Sequence, residues 1–261
     1  MNVAQPTLSV GIAKLEKGLS AKLFLRNSQR VQLTEAGVQF LNHARSIERE
    51  FHALEAGVGA LRTRRRVRLG VLATLATPML EALATSHQEN YPDDALEIVE
   101  GSERDLLSAL QRQRIDIALS VTRSSERRYR QTPLFEEGYV LAVAHTHRIA
   151  GLDAIEGAAL ADEVMLVRRH CEALAETSRY FTDRGVRPAF SYRTTNDEKA
   201  LAMVRAGLGV TVTPESLAAP GVKQIKLLGF DLRRRIGLLF DDEAQALVLE
   251  RPKLWAAVTA P

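Results

Sequence analysis

The most reactive side chains of this chain are those of His170 and Cys171, which follow an apolar run and precede a helix-like segment. A thiol at a helix N-terminus near Arg168, Arg169 and His170 is expected to be partly activated, because positive charge favours the thiolate. The chain has no other cysteine, so an internal disulfide is excluded and oxidation would give a sulfenic acid or a mixed disulfide. The simpler interpretation is that Cys171 packs in the protein or lines a ligand cavity.

No pattern typical of an enzyme accompanies this pair. A Cys–His catalytic pair needs the imidazole to face the sulfur, whereas adjacent side chains tend to diverge. The other histidines lack metal-ligand spacing, and the motifs GxSxG and HExxH are absent. Two Asp-Asp pairs, at 93–94 and 241–242, stand at expected turns. We therefore expect no catalytic residue, no metal, no cofactor and no enzymatic activity.

The elements that would position His170 and Cys171 begin at Val67, where short β-branched or apolar runs alternate with helical stretches. The strand-like runs are 67–72, 96–100, 115–121, 139–144, 164–167, 209–213 and 235–240. This alternation predicts an α/β fold with largely parallel sheets.

Three expected helix starts follow these strands. Thr77-Pro78 pairs a cap with a first-turn proline, and the segments Ser102–Asp105 and Thr195–Glu198 resemble capping boxes. Most N-cap residues only stabilise the start of their helix. Several helix N-termini at the carboxyl edge of one sheet, however, favour the binding of anions. The pattern therefore indicates an anion site if two lobes face each other at this edge.

Composition and charge limit the classes of function. The chain is 46% hydrophobic, long enough for two or three folded units, and has no apolar run long enough to span a bilayer. With no leader and a single cysteine, we expect a cytoplasmic protein that does not enter membranes. Residues 1–68 hold twelve Lys and Arg against five Glu, a net +7, whereas the other 23 basic and 27 acidic residues give −4. The basic end indicates a nucleic-acid partner.

The segment 7–16 at this basic end is predicted to be a helix, with Pro6 in its first turn and Ile12 and Leu15 on its buried side. A helix that enters the major groove presents its early residues to base edges, and Gln, Thr and Ser can read them. A polar helix start is also typical of a solvated cap. The candidate DNA-binding residues are Gln5, Pro6, Thr7, Ser9 and Lys14.

Two short apolar runs, Leu23–Leu25 and Val31–Leu33, flank a polar basic stretch and predict a β-hairpin. Its tip carries Arg26 and Arg30, whose side chains suit phosphate or minor-groove contact. A further basic run at 62–68, RTRRRVR, is interpreted as a solvated junction rather than a phosphate contact.

A narrow apolar stripe follows the hairpin. Its seven members alternate at spacings of four and three: Phe40, Ala44, Ile47, Phe51, Leu54, Val58 and Leu61. Such a stripe is the width that one partner helix covers, and the same helix of a second copy would fit it. We therefore expect dimerisation through residues 34–62; the alternative is an amphipathic helix that lies on its own domain.

The motifs of the first forty residues resemble those of a known family. Their order is QPxLSxxIxxLE at 5–16, LFxR at 23–26 and VxLTEAG at 31–37, followed by a long helix. This order resembles the winged helix-turn-helix and linker helix of LysR-type transcriptional regulators. The resemblance implies a DNA-binding domain at 1–33 and a linker helix at 34–66. Val10 stands where the family usually has a basic or polar residue, and the family places two more helices before the position of Met1, so a partial DNA-binding domain is expected.

The remainder of the chain resembles the regulatory domain of the same family. The matching segments are TTNDEKALAMVRAGLGVTVTPES at 194–216 and TPLFEEGYVLAV at 132–143, the latter with His147, although Arg148 replaces a usual proline. That domain is similar to the type 2 periplasmic-binding-protein fold, in which two α/β lobes joined by two crossings hold an effector in their cleft. The resemblance implies lobe I at 67–144 and 236–261, and lobe II at 145–235. The implied effector-binding residues are Thr74, Thr77, Ser102, His170, Cys171, Thr194 and Thr195.

His170 and Cys171 also resemble the loop that carries the reactive cysteine in peroxide-sensing members of the family. Those members use a second cysteine further along the chain, where Tyr180 stands here. The sequence thus predicts a regulator that binds promoter DNA, responds to a small anionic effector and forms a homodimer or tetramer. Two alternatives stay open: a ligand-binding and dimerisation module without autonomous DNA binding, or a redox sensor that acts through Cys171.

Overall fold

The computed structural model describes residues 5–26, 31–44, 47 and 65–258. The chain divides into two compact units, Met1–Thr63 and Arg64–Pro261. Several predictions fall on residues outside the described ranges, namely those for Arg30 and for the stripe positions Phe51, Leu54, Val58 and Leu61. Dimerisation through residues 34–62 therefore stays a prediction.

The first unit contains a helix, a hairpin and a second helix. Their bounds are α1 (Gln5–Gly18), β1 (Phe24–Arg26), β2 (Val31–Leu33) and α2 (35–44). The predicted hairpin is confirmed, because β1 and β2 pair antiparallel with Phe24 opposite Leu33. The stripe prediction is tested at three positions only: Phe40 and Ala44 are partly buried, and the side chain of Ile47 is 70% exposed.

Glu16 connects α1 to the hairpin. Its Oε1 accepts hydrogen bonds from the backbone N–H groups of Leu23 at 2.8 Å and Phe24 at 3.2 Å, and its Oε2 pairs with Lys22 Nζ at 3.1 Å. These bonds, led by the one from Leu23, lower the pKa of Glu16. The end of α1 and the start of β1 are therefore held together by one carboxylate.

The predicted burial of α1 is wrong at one position. Ile12 is partly buried, but Leu15 is 46% exposed, and Val10 is 70% exposed. Leu15 lies open because no described element of this unit covers that side of the helix.

The second unit is built from strands and helices that alternate along the chain. The strands are β3 (Arg66–Leu72), β4 (Ala95–Gly101), β5 (Ile117–Val121), β6 (Arg130–Ala144), β7 (Ala154–Glu156), β8 (Val164–Arg168), β9 (Ala189–Thr194), β10 (Thr211–Pro214), β11 (Val222–Leu228) and β12 (Arg233–Phe240). The helices are α3 (Thr77–Asn90), α4 (Glu103–Gln111), α5 (Leu174–Asp183), α6 (Asp197–Arg205), α7 (Gln245–Leu249) and α8 (Pro252–Ala256). The α/β class is confirmed.

The prediction of largely parallel sheets needs correction. The main sheet runs in the order β4-β3-β5-β12-β6-β11-β7, with β10 also on β6, and its pairs β3–β4, β3–β5 and β7–β11 are parallel. Every pairing of β6 and the β5–β12 pairing are antiparallel. The difference arises because β6 and β12 return along the sheet instead of following a helical crossover.

The long strand β6 joins two lobes, each with its own apolar core. Its first part pairs with β12, and its last residues, from Tyr139 on, pair with β10 and β11. One core surrounds Leu69, Leu106 and Leu238, and the other surrounds Leu141 and Ile225. The backbone of β6 and β12 thus provides the crossings between the lobes.

Candidate effector cleft

A buried carboxylate lies where the two lobes meet. Glu172 follows β8 in the second lobe, and its Oε2 accepts a 2.8 Å hydrogen bond from the hydroxyl of Thr74, which follows β3 in the first lobe. Its Oε1 accepts hydrogen bonds of 2.6 Å from the Tyr139 hydroxyl and from Arg234 Nη1. The side chain of Glu172 is only 5% exposed. Burial raises the pKa of Glu172, but the Arg234 charge and these hydrogen bonds outweigh it and lower the pKa.

Arg234 forms the base of the cleft from the crossing strand β12. Its guanidinium donates to Thr74 Oγ1 at 2.8 Å and to Oε1 of Glu137, on the other crossing strand, at 2.9 Å. Glu137 also accepts from the backbone N–H and the hydroxyl of Ser216, at 2.7 and 3.0 Å. Burial alone would lower the pKa of Arg234, but Glu172 and Glu137 raise it. The guanidinium therefore stays charged between two carboxylates.

Three cavities lie between the lobes, and Glu172 lines two of them. One of about 540 Å³ is lined by Ser102, Tyr129, His170 and Glu172, and one of about 460 Å³ by Arg123, Tyr139, Glu172 and Arg234. A third of about 420 Å³ is lined by Thr77, His170, Thr195 and Glu198. Five of the predicted effector residues, Thr74, Thr77, Ser102, His170 and Thr195, therefore lie at or around the meeting of the lobes.

Thr77 plays a different local role from the one predicted. The N-cap of α3 is Ala76, with no capping side chain, and Thr77 is the first helical residue. The Thr77 hydroxyl instead donates to Glu198 Oε1 of α6 at 2.6 Å, so it forms a second polar bridge between the lobes. The prediction of a Thr77 cap was wrong because a bond to the facing lobe takes the hydroxyl.

The predicted cap of α4 is confirmed. Ser102 is the N-cap, its Oγ accepts from the N–H of Asp105 at 3.3 Å, and Asp105 accepts from the N–H of Ser102 at 3.2 Å. His170 is exposed and lines two of the cavities. The pKa of Asp105 is lowered mainly by its hydrogen bonds with Ser102, and the nearby His170 adds a smaller lowering.

The capping box predicted at Thr195 is wrong by one residue. Asn196 caps α6, and its Oδ1 accepts from the N–H of Lys199 at 2.8 Å. Thr194 Oγ1 accepts from the N–H of Asn196 at 3.0 Å, so its hydroxyl supports the turn. Thr195 is exposed and faces the cleft cavity beside Glu198.

Cys171 is buried, with 9% of its surface exposed, and points away from the cleft into the second lobe. Its Sγ lies 3.5 Å from Arg168 Nη1, and the same guanidinium donates through Nε to Asp197 Oδ1 at 2.7 Å. Burial is the largest effect and raises the pKa of the thiol; the Arg168 charge lowers the pKa by less, and the negative charge of Glu172 adds a still smaller rise. The predicted activation of the thiol is therefore wrong, because burial outweighs Arg168 while His170 is exposed to solvent.

The predicted DNA-binding residues of the first unit lie mainly along α1. Gln5, Pro6 and Thr7 form its first turn, Ser9 and Lys14 are exposed, and Arg26 ends β1. Their role stays a prediction.

Four residues at the centre of the cleft were not predicted from the sequence: Glu137, Tyr139, Glu172 and Arg234. The buried Arg168–Asp197 pair of the second lobe was not predicted either. A signal was present in part, because a charged residue inside an apolar strand needs a buried partner. Glu137 and Arg234 stand ahead of the apolar ends of β6 and β12, although each has a charged neighbour on the same strand.

Comparison with known proteins decides the family. Residues 1–38 match the family of bacterial regulatory helix-turn-helix proteins of lysR type, and residues 61–250 match the LysR substrate binding domain. The second match covers more than half of the chain. The chain belongs to the LysR family. It is a DNA-binding transcriptional regulator with an effector-binding domain, in a family of regulators rather than enzymes.

Several LysR relatives are named for a response to peroxide. The chain is 30% identical over 250 residues to a probable hydrogen peroxide-inducible genes activator of Mycobacterium avium, covering 92% of this chain and 80% of that protein. It is 29% identical over 249 residues to the DNA-binding transcriptional dual regulator OxyR of Escherichia coli, covering 92% of this chain and 81% of the relative.

Solved structures of LysR proteins share the fold. A mutant OxyR of Corynebacterium glutamicum superposes with a TM-score of 0.62 at 26% identity, covering 98% of this chain and 84% of that one. A full-length OxyR variant of Pseudomonas aeruginosa gives a TM-score of 0.68 at 21% identity, covering 98% and 86%.

Among the described residues, no cluster of His, Cys, Asp or Glu is arranged to hold a metal ion. No helix in the described parts of the chain is long and apolar enough to cross a bilayer.

Proposed function

We propose that the regulatory unit binds a small organic anion in the cleft between its lobes, and that this ligand alters how the chain holds promoter DNA. The observation that supports this is the set of donors around Glu172, supplied by Thr74, Tyr139 and Arg234. Charged and hydroxyl donors that bind the carboxylate of Glu172 can equally bind the carboxylate of a ligand, because the two groups have the same shape and charge. A ligand carboxylate would replace that of Glu172.

The replacement would act on the relation between the lobes. The hydrogen bond from Thr74 to Glu172 joins the two lobes, so its loss changes the energy of their arrangement. A ligand shifts such an equilibrium only by its difference in affinity for the two arrangements. The remaining part of the ligand would contact the predicted residues that line the cleft, including Ser102, His170 and Thr195, and the shift would change the bend imposed on DNA.

We place promoter contacts at Gln5, Pro6, Thr7, Ser9, Lys14, Arg26 and Arg30. We place the homo-oligomer contact at residues 34–62 and one boundary of the lobes at 235–236. The other boundary is placed inside β6, ahead of Tyr139, rather than at 144–145, because β6 pairs with β10 and β11 from Tyr139 on. The protein would act by binding rather than by catalysis, in the cytoplasm, where its promoter DNA lies.

Footprinting on genomic DNA, with and without a panel of small mono- and dicarboxylates, tests the proposal. We expect sequence-selective protection that changes with one of these acids, and a loss of that change in Arg234→Lys. Arg130→Lys is the matched control, since Arg130 is exposed on the other crossing strand, β6, and lines none of the three cleft cavities. If the protected sites stay the same with every acid, the anionic effector is rejected. If no site is protected selectively, promoter binding by this chain is rejected.

The alternative of a ligand-binding and dimerisation module makes a different prediction for DNA. The binding of a regulator to DNA weakens steeply with salt, because phosphate contacts release counterions. A chain that binds acids but shows no salt-dependent DNA affinity would be such a module.

A thiol sensor is the second candidate, favoured by the peroxide-named relatives and by the Arg168 donor 3.5 Å from Sγ. Attack of the Cys171 thiolate on hydrogen peroxide would give a sulfenic acid and release hydroxide. If this is the signal, Cys171→Ser abolishes a peroxide-dependent change in the footprint and leaves a carboxylate-dependent change intact. An unchanged peroxide response excludes Cys171.

A further inference from the structure

A fourth cavity, of about 540 Å³, lies inside the second lobe between α5 and the β8–β9 strand pair. Its lining is mainly apolar, and the largest contributors are Met165, Leu174, Phe181, Val186, Phe190 and Val212. None of its lining residues lines the three cleft cavities. Its volume is in the range of small-molecule sites, which lies at roughly 300–1,000 Å³.

Two features of the lining indicate which kind of ligand this cavity binds. Leu174 and Phe190 are 37% and 55% exposed, so apolar surface lies open at the cavity. Arg187 and Arg193 also line it, and neither forms an ion pair with any described residue; Arg193 lies only over the Phe190 ring, at 5.6 Å. The buried cation of the same cavity, Arg168, is by contrast fully paired with Asp197.

We propose that this cavity is a second ligand site, which binds an amphipathic organic anion. The apolar body of the ligand lies between α5 and β8–β9, and its anionic group pairs with Arg187 and Arg193. Both cations are exposed and without an ion pair among the described residues, so they are free to bind the anionic group while the apolar body of the ligand is buried.

The site is connected to the cleft through two adjacent residues. Cys171 lines the cavity with its side chain, and Glu172 reaches from the next position into the hydrogen bonds with Thr74, Tyr139 and Arg234. A ligand that presses on Cys171 therefore moves the backbone that carries Glu172. The cavity is thus placed to bias the relation of the lobes without entering the cleft.

A pair of fluorescent probes tests the site on the full chain: anilinonaphthalene sulfonate, which is anionic, and its uncharged parent phenylnaphthylamine. We expect saturable binding of both, and about tenfold weaker binding (~1.4 kcal/mol) in Ser178→Trp, where the indole fills the cavity from an exposed position of α5. Ala175→Trp is the matched control, because Ala175 is exposed on the same helix and does not line the cavity. Equal binding in both variants overturns the proposal.

The charge of the ligand is tested separately. The double variant Arg187→Gln, Arg193→Gln should lose affinity for the sulfonate and keep affinity for the uncharged parent. An equal loss for both probes, or none, rejects the anion preference.

The single thiol gives a readout that needs no fluorescence. Because Cys171 lines the cavity and is the one cysteine in the sequence, saturating probe should slow its alkylation by N-ethylmaleimide in the folded protein. Unchanged alkylation places the probe elsewhere and overturns the proposal. If Ser178→Trp alters the sedimentation coefficient and leaves probe binding intact, the face is covered by a second copy and the small-molecule site is wrong.

Discussion

The Thr74 hydroxyl donates a 2.8 Å hydrogen bond to Glu172 Oε2, and this bond joins one lobe of the regulatory unit to the other. Both partners are buried, and Arg234 contacts each of them from the crossing strand β12. The lobes are therefore joined in part by a polar contact that a ligand carboxylate could take over, beside the apolar packing of Leu201 and Leu217 against the core of the first lobe.

Removal of the Thr74 hydroxyl should loosen this contact. In Thr74→Val, Glu172 and Arg234 both lose a buried partner, so we expect the free energy of unfolding in urea to fall by about 1.5–3 kcal/mol, as for hydrogen bonds to charged groups. Thr182→Val is the control, because the Thr182 hydroxyl bonds only to the Ser178 carbonyl at an exposed helix position. Equal losses of unfolding free energy in the two variants would show that the inter-lobe hydrogen bond stabilises the protein no more than an exposed one.

The same carboxylate should give the protein an acid-sensitive step in stability. The pKa of Glu172 is lowered below its ordinary 4.5 in the folded protein, so the folded state favours the charged form. The contribution of the Glu172 carboxylate to the free energy of unfolding is complete above pH 4.5. It is lost as the pH falls through the lower pKa of the folded state. We expect Glu172→Gln to be less stable at neutral pH and to approach the wild type in acid, as measured by urea unfolding across this range. Parallel pH curves would contradict the assignment.

Loss of one partner of the Arg168–Asp197 pair should be costly. The side chains are 2% and 9% exposed, so Asp197→Asn leaves a buried guanidinium without its counter-charge, and we expect a loss of about 3–5 kcal/mol in the free energy of unfolding. Glu97→Gln breaks the exposed 3.8 Å pair with Arg66 and should cost less than about 1 kcal/mol. If Asp197→Asn lowers the free energy of unfolding as little as this control does, the buried pair does not stabilise the fold.

The reactivity of Cys171 should respond to the charge at the next position. Burial, followed by the Glu172 charge, raises the pKa of the thiol above its ordinary 9.0, so alkylation of the folded protein is expected to be slow at neutral pH. Glu172→Gln removes that negative charge and should increase the alkylation rate several-fold, as followed with N-ethylmaleimide over a pH series. Thr74→Val keeps the charge but loosens the lobes. A similar increase in both variants would attribute the effect to exposure of the thiol instead.

Glu16→Gln should weaken DNA binding although it removes a negative charge from a DNA-binding unit. The carboxylate accepts from the N–H groups of Leu23 and Phe24 and pairs with Lys22. The neutral amide keeps one acceptor oxygen but loses the charge, so the hairpin that carries the predicted phosphate contacts is held more weakly. Glu35→Gln removes an equal charge from an exposed position of α2 and should strengthen binding slightly. Fluorescence anisotropy with a DNA fragment from the footprint measures both. A gain of affinity in Glu16→Gln would contradict the positioning role.

Local patterns in the sequence predicted local structure well. The apolar runs that flank a polar tip gave the β1–β2 hairpin, and the serine three residues before Asp105 gave the cap of α4, because these features depend on neighbours in the chain. Three strands, β7, β9 and β11, were missed, since their residues alternate between exposed and buried positions or mix polar with apolar side chains. Their pairing partners, and not their own composition, make them strands.

The cleft was predicted through its edges rather than its centre. Thr77 and Thr195 were chosen as helix caps, and both reach the cleft, but the capping roles belong to Ala76 and Asn196. Whether a hydroxyl caps its own helix or bonds to a facing lobe depends on what stands opposite, and a single segment of sequence does not contain that information.

The sequence by itself determined the LysR family, the α/β class, the hairpin and the presence of a single thiol, because motif order, hydrophobic period and composition are written along the chain. The tertiary structure alone decided that Glu172 occupies the anion donors of the cleft, that Arg234 serves two carboxylates, and that Cys171 is buried with a raised pKa. These properties arise from side chains 62 to 98 positions apart in sequence that fold to within hydrogen-bond distance of each other. Such a distance is fixed by packing of the whole unit and by the balance of burial against charge.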